Sequence, residues 1–598
     1  MEPPNKKIRI DSESPERDSR LESPLSTIHD IASLRSIITP PPQSRQVAST
    51  CPDTEESNER KTTPTSSKVK PIEPRIIDSP VQLTYIRDLP TSKGYNVDAV
   101  RLRDILGDPM IRECWQFNYL HDVDFLMSQF DEDTRGLVKV RVVHGSWQRE
   151  NANKIRIEEA CARYPNVEPI IAYMPEPFGT HHSKMMVLLR HDDLAQVIIH
   201  TANMIPQDWT NMTQAVWRSP LLPQKPSSAP ATDLSFGSGT RFKRDFLAYL
   251  RAYGPSKTGP LVQQLETYDF RAVRAALVAS VPSKQHASEC NSDEGTLWGW
   301  LALKDLTSRI STINTKQEGK ESSPNPHIVI QPIDPTNKQK PQISSVATLG
   351  QTEKWLKEVF FQALSPSQPQ LQPQHQTPTQ KQPTYSIIFP TPSEIRRSID
   401  GYTSGASIHM KTHSPAQQKQ LAYMRPYLCQ WAGDGPTNSS YIDLSDDQPP
   451  KREAGRARAA PHIKTYIRFR DGDMESIDWA MVSSANLSTQ AWGAAVNSGG
   501  EVRICSWEIG VAFWPGLFED GDGDGDGDAE VVMVPTFQTD RPDISSDNGE
   551  KAQEAASAVV GFRMPYNLPL TPYGASDEPW CATVSHDLPD WRGQSWMG

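Results

Sequence analysis

The feature that most constrains the fold of this chain is an internal repeat. His182-Ser183-Lys184 is followed by an apolar run, a polar turn, a second apolar run and Thr201-Ala202-Asn203. The same succession starts again with His462-Ile463-Lys464 and ends in Ser484-Ala485-Asn486. A Trp then follows the Asn by six residues in both copies. Such a long succession, present twice, predicts two similar domains that each contribute half of one site.

The two His-x-Lys segments carry side chains that suit chemistry on phosphate. Each segment is interpreted as the opening of a β-strand, so that its His and Lys project from the same face. Of two histidines that face one phosphate, one can attack phosphorus while the other protonates the leaving oxygen. The catalytic set predicted on this basis is His182, His462, Lys184, Lys464, Asn203 and Asn486, in which Lys and Asn donate to the non-bridging oxygens.

A histidine that reacts through one ring nitrogen needs a partner that holds the other nitrogen. The candidates are Gln214 and Glu508, one after each copy of the repeat. No carboxylate cluster accompanies either copy, so neither a metal ion nor a cofactor is expected. The acidic run 520–526 is interpreted as a flexible loop, because Val531 stands where an EF-hand loop needs Glu.

Each of these residue types also has a structural interpretation. A single buried His is more often structural than catalytic, and Asn is a favoured helix cap. Duplication within the repeat favours catalysis for the two His and phosphate binding for the two Asn. The structural interpretation is kept for His144, His181, His200, Trp209 and Trp492.

Composition narrows the class of protein. The chain has 598 residues, a formal net charge of −11, 36% hydrophobic residues and 52 Pro. The negative charge excludes a uniformly basic nucleic-acid coat, and the Pro content predicts linkers or tails. Seven Cys without CxxC spacing favour a reducing compartment over a disulfide framework. No apolar run has membrane length, so a soluble protein without membrane contact is expected.

Alternation of helix and strand patterns predicts α/β layers. Residues 1–75 are rich in Ser, Pro and charged side chains and are expected to form a disordered tail. Within this tail, Lys6-Lys7 is a candidate nuclear import signal. Two domains are predicted, at 76–273 and 274–598. The second domain is expected to carry insertions at 365–383, 433–459 and 519–529.

Further segments around the repeat complete a known pattern. They are Phe117-Asn118-Tyr119, Phe178-Gly179-Thr180-His181, His200 and Asp208-Trp209, Ser344-Ser345-Val346, Pro461, Thr465-Tyr466, Leu487-Ser488, Ala491-Trp492-Gly493 and Glu508-Ile509-Gly510-Val511. Neither Lys of the repeat is followed shortly by the Asp that phospholipase D enzymes carry. Over roughly residues 80–598 the chain therefore resembles the tyrosyl-DNA phosphodiesterases of the phospholipase D superfamily.

The resemblance implies two α-β-α sandwich domains with mixed sheets, related by a pseudo-twofold axis. It implies that His182 attacks a 3′-phosphate joined to tyrosine and forms a phosphohistidine. His462 would protonate the tyrosine and then activate water, which releases a DNA 3′-phosphate. Gln214 and Glu508 would orient the two histidines.

The resemblance also implies substrate contacts. Phe178 would stack on a base, and Ser345, Ser407 and Ser488 would contact the DNA backbone. Tyr119 and Trp580 would lie on the peptide side. Phe178 and Trp580 each retain a second interpretation as core residues.

The implied substrate is DNA whose 3′ end carries a covalently attached topoisomerase I peptide, together with other blocked 3′ ends. Binding of single- and double-stranded DNA, 3′ exonuclease action, a monomeric state and a nuclear location complete this expectation. Two alternatives remain open: a phospholipase D-like enzyme acting on lipid or other phosphodiesters, and a non-catalytic nucleic-acid-binding module. The absent Asp counts against the first, and the intact His-Lys-Asn sets count against the second.

Overall fold

The computed structural model describes residues 74–148, 150–225, 233–289, 291–310, 326–331, 349–366, 383–408, 410–434, 451–519, 530–543 and 556–598. They belong to one compact unit, Pro71–Gly598. Strands and helices in this unit are organised around two large mixed sheets, which confirms the predicted α/β class.

The bounds of the described elements are as follows. Numbered along the chain, the strands are β1 (Arg75–Ile77), β2 (Val81–Leu83), β3 (Ile111–Phe117), β4 (Lys139–His144), β5 (Val167–Ile171), β6 (Met185–Arg190), β7 (Leu194–His200), β8 (Ala215–Arg218), β9 (Leu222–Pro223), β10 (Ala276–Ser280), β11 (Ser283–His286), β12 (His327–Gln331), β13 (Thr384–Ile388), β14 (Leu428–Cys429), β15 (Thr465–Phe469), β16 (Ile477–Ser483), β17 (Glu501–Ile504), β18 (Glu508–Phe513), β19 (Glu530–Thr536) and β20 (Ala556–Arg563). The helices are α1 (Leu102–Leu106), α2 (Val123–Gln129), α3 (Ala152–Cys161), α4 (Pro206–Thr210), α5 (Gly239–Arg251), α6 (Pro255–Glu266), α7 (Gly299–Arg309), α8 (Gln362–Leu364), α9 (Pro392–Arg396), α10 (Pro415–Met424) and α11 (Thr489–Trp492). A π-helical segment, Trp355–Phe361, leads into α8, and a 3₁₀ segment, Gly401–Ser407, follows α9.

The two large sheets have the same strand order. The first runs β2-β8-β7-β6-β3-β4-β5, with β9 beside β7, and the second runs β10-β18-β16-β15-β12-β13-β14. In each sheet the hairpin that carries the repeat is central, β6–β7 or β15–β16, with an antiparallel strand on either side. Two parallel pairings then extend each sheet in the same direction. The sequence repeat is therefore a structural repeat, as a pseudo-twofold relation requires.

Burial explains why the central strands read as apolar runs. Every residue of β15, β16 and β18 is buried, as expected when both faces of a sheet are covered. Helix α5 shows how such a face is covered, because Phe242, Phe246 and Leu250 recur at intervals of four and are all buried. Two smaller sheets, β1-β20-β19 and β11-β17, lie outside this repeat.

The His-x-Lys segments themselves lie outside the strands, contrary to the prediction. β6 and β15 each begin at the residue after the Lys. The backbone of each segment is instead bound by the opposite half of the molecule. The His182 N–H donates to Trp507 O at 2.9 Å, and the His462 N–H donates to Thr213 O at 3.0 Å. Each His is therefore fixed where the two halves meet.

The predicted insertion at 433–459 is wrong for its last part. Ala454, Arg456 and Ala459 are fully buried, and the Thr213 hydroxyl donates to Ala459 O at 2.9 Å. This stretch is therefore core that supports the approach to His462. Residues 1–73, 367–382, 435–450 and 520–529 lie outside the described residues, and the domain boundary after residue 273 stays a prediction.

Gly179 allows a close approach between the halves. A Cβ at this position would lie 1.9 Å from Cys505 O, and the neighbouring Thr180 N–H donates to Ser506 Oγ at 3.1 Å. We expect Gly179→Ala to displace the segment leading to His182, lowering the free energy of unfolding by about 1–3 kcal/mol and reducing turnover. Denaturant unfolding and a turnover assay test this. Gly136→Ala is the control, because its Cβ would meet no atom within 4 Å; equal stability of both variants would contradict the expectation.

Candidate active site

The first histidine is held by a carboxylate from the opposite half. His182 is 3% exposed, and its Nδ1–H donates to Glu508 Oε2 at 2.9 Å. Glu508 opens β18, which immediately follows the Trp507 carbonyl that accepts from the His182 backbone. Among the described residues, His182 Nε2 has no hydrogen-bond partner. The ring is thus oriented through one nitrogen and presents the other.

The second histidine is held in the related way. His462 is fully buried, and Gln214 Nε2 lies 3.0 Å from its Nδ1. Gln214 directly precedes β8, the strand equivalent to β18, so the two predicted orienting residues occupy equivalent places. The carboxylate of Asp208 also reaches His462, with Oδ2 at 3.1 Å from Nδ1. Within the described part of the chain, His462 Nε2 has no hydrogen-bond partner.

Sequence reasoning assigned no role to the hydroxyls that begin each [Ser/Thr]-Ala-Asn segment. The Thr201 hydroxyl donates to Gln214 Oε1 at 2.7 Å and accepts from the Ala215 N–H at 2.9 Å. The Ser484 hydroxyl donates to Glu508 Oε2 at 2.6 Å and accepts from the backbone N–H of Ile509, the residue after Glu508. Their place in the repeated segment was a visible signal, but the partner of each hydroxyl was not.

The two Lys side chains of the repeat are also brought to this site, and Asn203 is bonded to Asp208 through its backbone N–H. Lys184 Nζ donates to His182 O at 3.2 Å and Lys464 Nζ donates to His462 O at 2.7 Å. Asn203 is fully buried, and neither atom of its amide has a hydrogen-bond partner among the described residues. The capping alternative fails, because the N-caps of α4 and α11 are Ile205 and Ser488 rather than Asn203 and Asn486.

Both histidines are neutral near pH 7 in the free protein. Burial lowers the pKa of His182 to about 4; the charges of Lys184 and Lys464 act in the same direction, while Glu508 opposes them. Burial lowers the pKa of His462 to about 3, with Lys464 and Lys184 again acting in the same direction and Asp208 opposing. The charges of both lysines lower the pKa of each histidine, so the two copies of the repeat form one electrostatic site.

Buried histidines with depressed pKa values make stability depend on pH. The unfolded chain, with His near 6.5, binds more protons than the folded chain between that pH and the folded values. Stability is therefore fully present above about pH 6.5 and is lost as the pH falls toward 4 and 3. Burial lowers the pKa of His200 to about 3. The His200 ring packs against Trp209, with 5.4 Å between the two ring centroids.

We expect His200→Phe to reduce the loss of Tm between pH 7 and pH 5, since one buried titrating ring is removed while the aromatic packing is kept. Thermal unfolding of both proteins across this range measures the effect. His191→Phe, on the exposed turn between β6 and β7, is the control for loss of an imidazole. A steeper pH dependence in His200→Phe would contradict the expectation.

Two predicted substrate contacts lie at the rim of the site. Phe178 is 53% exposed, which excludes its interpretation as a core residue. The ring of Tyr119 lies 5.6 Å from the ring of His182. The ring of Tyr119 therefore lies beside His182, and Phe178 precedes His182 by four residues in the chain.

The predicted serine contacts have different surroundings. Ser488 is buried, and its hydroxyl caps α11 by accepting from the Ala491 N–H at 3.1 Å. Its own hydroxyl hydrogen is still able to donate. Ser407 is a buried residue that ends the 3₁₀ segment. Ser345 lies outside the described residues.

Trp580 requires a correction. Its side chain is 0% exposed, its Nε1–H donates to Gly405 O at 2.9 Å, and it stacks on Tyr402 and His586. A residue so enclosed has no surface to offer a peptide, so the predicted peptide contact is wrong. Trp580 supports the 3₁₀ segment instead. Trp209 and Trp492 are core residues, as predicted.

Comparison with known proteins decides the family. The sequence matches the family model for tyrosyl-DNA phosphodiesterase over residues 80–574. The chain belongs to the tyrosyl-DNA phosphodiesterase family. A probable tyrosyl-DNA phosphodiesterase of Schizosaccharomyces pombe is 30% identical to it, over 87% of this chain and 96% of that protein. Tyrosyl-DNA phosphodiesterase 1 of Drosophila melanogaster is 27% identical, over 80% and 70% respectively.

The fold agrees with that assignment. The crystal structure of yeast tyrosyl-DNA phosphodiesterase matches this chain with a TM-score of 0.52 at 17% identity, over 84% of this chain and 99% of that one. As a tyrosyl-DNA phosphodiesterase family member, the chain is a phosphodiesterase of the hydrolase class. Among its described residues, no three His, Cys, Asp or Glu form a group suited to a metal ion. None of the described helices combines the length and hydropathy that crossing a membrane requires.

Proposed function

We propose that this enzyme hydrolyses the 3′-phosphotyrosyl bond between DNA and a stalled topoisomerase I, and removes other 3′-end blocks, to leave a 3′-phosphate. One observation carries the proposal. Two buried histidines from the two halves are each oriented through Nδ1, while their Nε2 atoms have no partner among the described residues. This arrangement suits a nucleophile paired with a proton carrier.

In the first step, His182 Nε2 attacks phosphorus. The new P–N bond forms as the P–O bond to tyrosine breaks, and His462 gives its Nε2 proton to the departing phenolate oxygen. A neutral imidazole is the reactive form of the nucleophile, and burial keeps His182 in that form. The negative charge of the bound phosphate favours the protonated form of His462, which the first step requires.

In the second step, water attacks the phosphohistidine. His462 Nε2 takes a proton from that water while the P–N bond breaks, so His182 is restored and the DNA carries a 3′-phosphate. Lys184, Lys464, Asn203 and Asn486 stabilise the charge on the non-bridging oxygens in both steps. Glu508 keeps the ring of His182 oriented at 2.9 Å, and Gln214, whose Nε2 lies 3.0 Å from His462 Nδ1, supports the orientation of the second ring.

The substrate lies across the site, with DNA on one side and peptide on the other. Phe178 supports this arrangement because it is an exposed ring on the segment that leads to His182. Base stacking on such a ring contributes about 1–3 kcal/mol in binders of single strands. The enzyme acts as a monomer in the nucleus, with Lys6-Lys7 as the candidate import signal.

The test is incubation of the purified protein, with EDTA present, with an oligonucleotide that carries a 3′-phosphotyrosine. Gel analysis should show conversion to the 3′-phosphate, and the conversion should not need added metal. A short-chain phosphatidylcholine assayed in parallel tests the lipid alternative. Cleavage of the lipid without cleavage of the oligonucleotide would overturn the proposal, as would a folded protein that cleaves neither.

A further inference from the structure

The two histidines do not have symmetric partners in the sequence. Glu508, a carboxylate, stands in the second half where the first half has the neutral amide of Gln214. By symmetry alone, His462 would lack a carboxylate. The structure supplies one from a different place: Asp208, five residues after Asn203, reaches His462 Nδ1 at 3.1 Å. The equivalent position in the second half, five residues after Asn486, is Ala491.

The hydrogen bonds around Gln214 fix the orientation of its amide. Oε1 accepts from the Thr201 hydroxyl at 2.7 Å, and Nε2 donates to Asp208 Oδ2 at 3.2 Å. The reverse orientation would place Oε1 against the carboxylate, which repels it. Gln214 therefore directs its Nε2 donor toward Asp208 and His462. A donor cannot accept the Nδ1–H of His462, so Asp208 Oδ2 is the acceptor within reach.

The burial and hydrogen bonds of the Asp208 carboxylate are those of a functional group. It is fully buried, and Oδ2 also accepts from the Asn203 N–H at 2.7 Å. Oδ1 has no hydrogen-bond partner in the part of the chain that the structure describes. A buried carboxylate with one oxygen unsatisfied is costly to the fold, and such groups concentrate at functional sites.

We propose that Asp208 is a positioning residue for His462. It accepts the Nδ1–H, which fixes the tautomer, and it stabilises the imidazolium whose Nε2–H is donated to the leaving oxygen. In the second step the same contact stabilises the imidazolium that forms when Nε2 takes a proton from water. This inference rests on the proposed function and adds a residue to it. Gln214 then acts mainly on Asp208, by donating to its carboxylate.

The charges around this pair support the assignment. His462 faces the cations Lys464 and Lys184, which disfavour its protonated form, and Asp208 is the anion that opposes them. Burial raises the pKa of Asp208, but its hydrogen bonds with His462 and the Asn203 N–H and the charge of Lys464 act against burial, and that pKa is lowered overall. Asp208 therefore stays ionised, as the role requires.

The first test is Asp208→Asn, assayed on two 3′ adducts that differ in the leaving group. Tyrosine needs a proton as it leaves, while 4-nitrophenol leaves readily without one. We expect formation of the covalent intermediate to slow by roughly 10²- to 10³-fold with tyrosine and by less than about tenfold with 4-nitrophenol. The alkaline limb of the single-turnover rate with tyrosine should move to lower pH by about one unit or more.

The control is a matched buried aspartate outside the site. Asp540 is buried and paired with Arg563 at 3.0 Å, so Asp540→Asn removes a carboxylate without touching the histidines. We expect this variant to lower Tm while keeping the wild-type ratio of rates for the two leaving groups. Asp208→Asn should show the altered ratio even if its Tm falls by the same amount.

The internal symmetry supplies a rescue experiment. The double variant Asp208→Asn, Gln214→Glu moves the carboxylate to the position that Glu508 occupies in the other half. Thr201 can donate to it, as Ser484 does to Glu508 at 2.6 Å. We expect the double variant to regain at least about tenfold of the lost rate with tyrosine and the wild-type pH limb. Gln214→Glu alone should not accelerate the enzyme, because it sets two carboxylates together.

The outcomes separate this inference from the proposed function. If the wild type does not cleave the phosphotyrosyl oligonucleotide, the proposed function fails. If the wild type is active and Asp208→Asn keeps its rate and pH profile, the role of Asp208 is overturned. Equal losses for both leaving groups, with no rescue in the double variant, would likewise overturn it and assign Asp208 to the fold alone.

Discussion

Replacement of His182 by Ala is expected to reduce turnover of a 3′-phosphotyrosyl oligonucleotide by about 10⁴-fold or more, as loss of a nucleophile does in other covalent mechanisms. The variant removes the only proposed atom that bonds to phosphorus. Lys184 and the opposite half-site remain, and they can bind the phosphate without replacing the nucleophile. Binding of the DNA should therefore weaken far less than turnover.

Single-turnover gels measure the rate, and fluorescence anisotropy of a labelled oligonucleotide measures binding. Thermal unfolding should show a folded variant, since the cavity left at His182 is lined by groups that other bonds hold in place. Free imidazole should restore part of the rate by occupying that cavity. His191→Ala, on an exposed turn, is the control and should retain full activity. Undiminished turnover by His182→Ala would show that this histidine is not the nucleophile.

Replacement of His462 by Asn is expected to give the second large effect, accumulation of a covalent enzyme–DNA adduct. The variant cannot donate a proton to tyrosine, so formation of the adduct slows by about 10²–10⁴-fold. It also cannot take a proton from the attacking water, which is a weak nucleophile without a base. Bulk water can still protonate the phenolate, so the second step is the more impaired and the intermediate survives.

A labelled oligonucleotide should run with the protein on a denaturing gel, and acid should release it, because the bond is a phosphoramidate. The control is His182→Ala combined with His462→Asn, which should give no adduct. Persistence of the adduct in that double variant would assign the nucleophile to another residue. Rapid and complete turnover by His462→Asn would remove His462 from both proton transfers.

Much of the site could be predicted because it is duplicated. His182 and His462, with their Lys and Asn, stand at matching places in two copies of one pattern, and the two sheets share one strand order. Gln214 and Glu508 were found from the need for a partner at Nδ1, and each lies within hydrogen-bond distance of the expected ring. Each of these residue types is common on its own. They became informative because they occur twice, at matching places of a repeat.

Other features could not be predicted from local patterns. The alternation of side chains suggested that His-x-Lys opens a strand, but these backbones bond with Trp507 and Thr213 of the opposite half. Trp580 shares its surroundings with the core, and its burial depends on Gly405 approaching its ring. Both outcomes depend on contacts between segments that are distant in the chain. The periodicity of side chains within one segment does not predict such contacts.

The sequence by itself determined the two half-sites, the class of fold and the family. A repeated pattern of residue types can be recognised along the chain without knowledge of which residues are in contact. Tertiary structure alone decided which acceptor serves each histidine. The separation of 254 residues between Asp208 and His462 carries no signal in the sequence, and Asp208 has no counterpart in the second copy. Only the meeting of helix α4 with the segment before β15 brings that carboxylate within 3.1 Å of the ring, where water is excluded and the charge of Asp208 influences the protonation of His462.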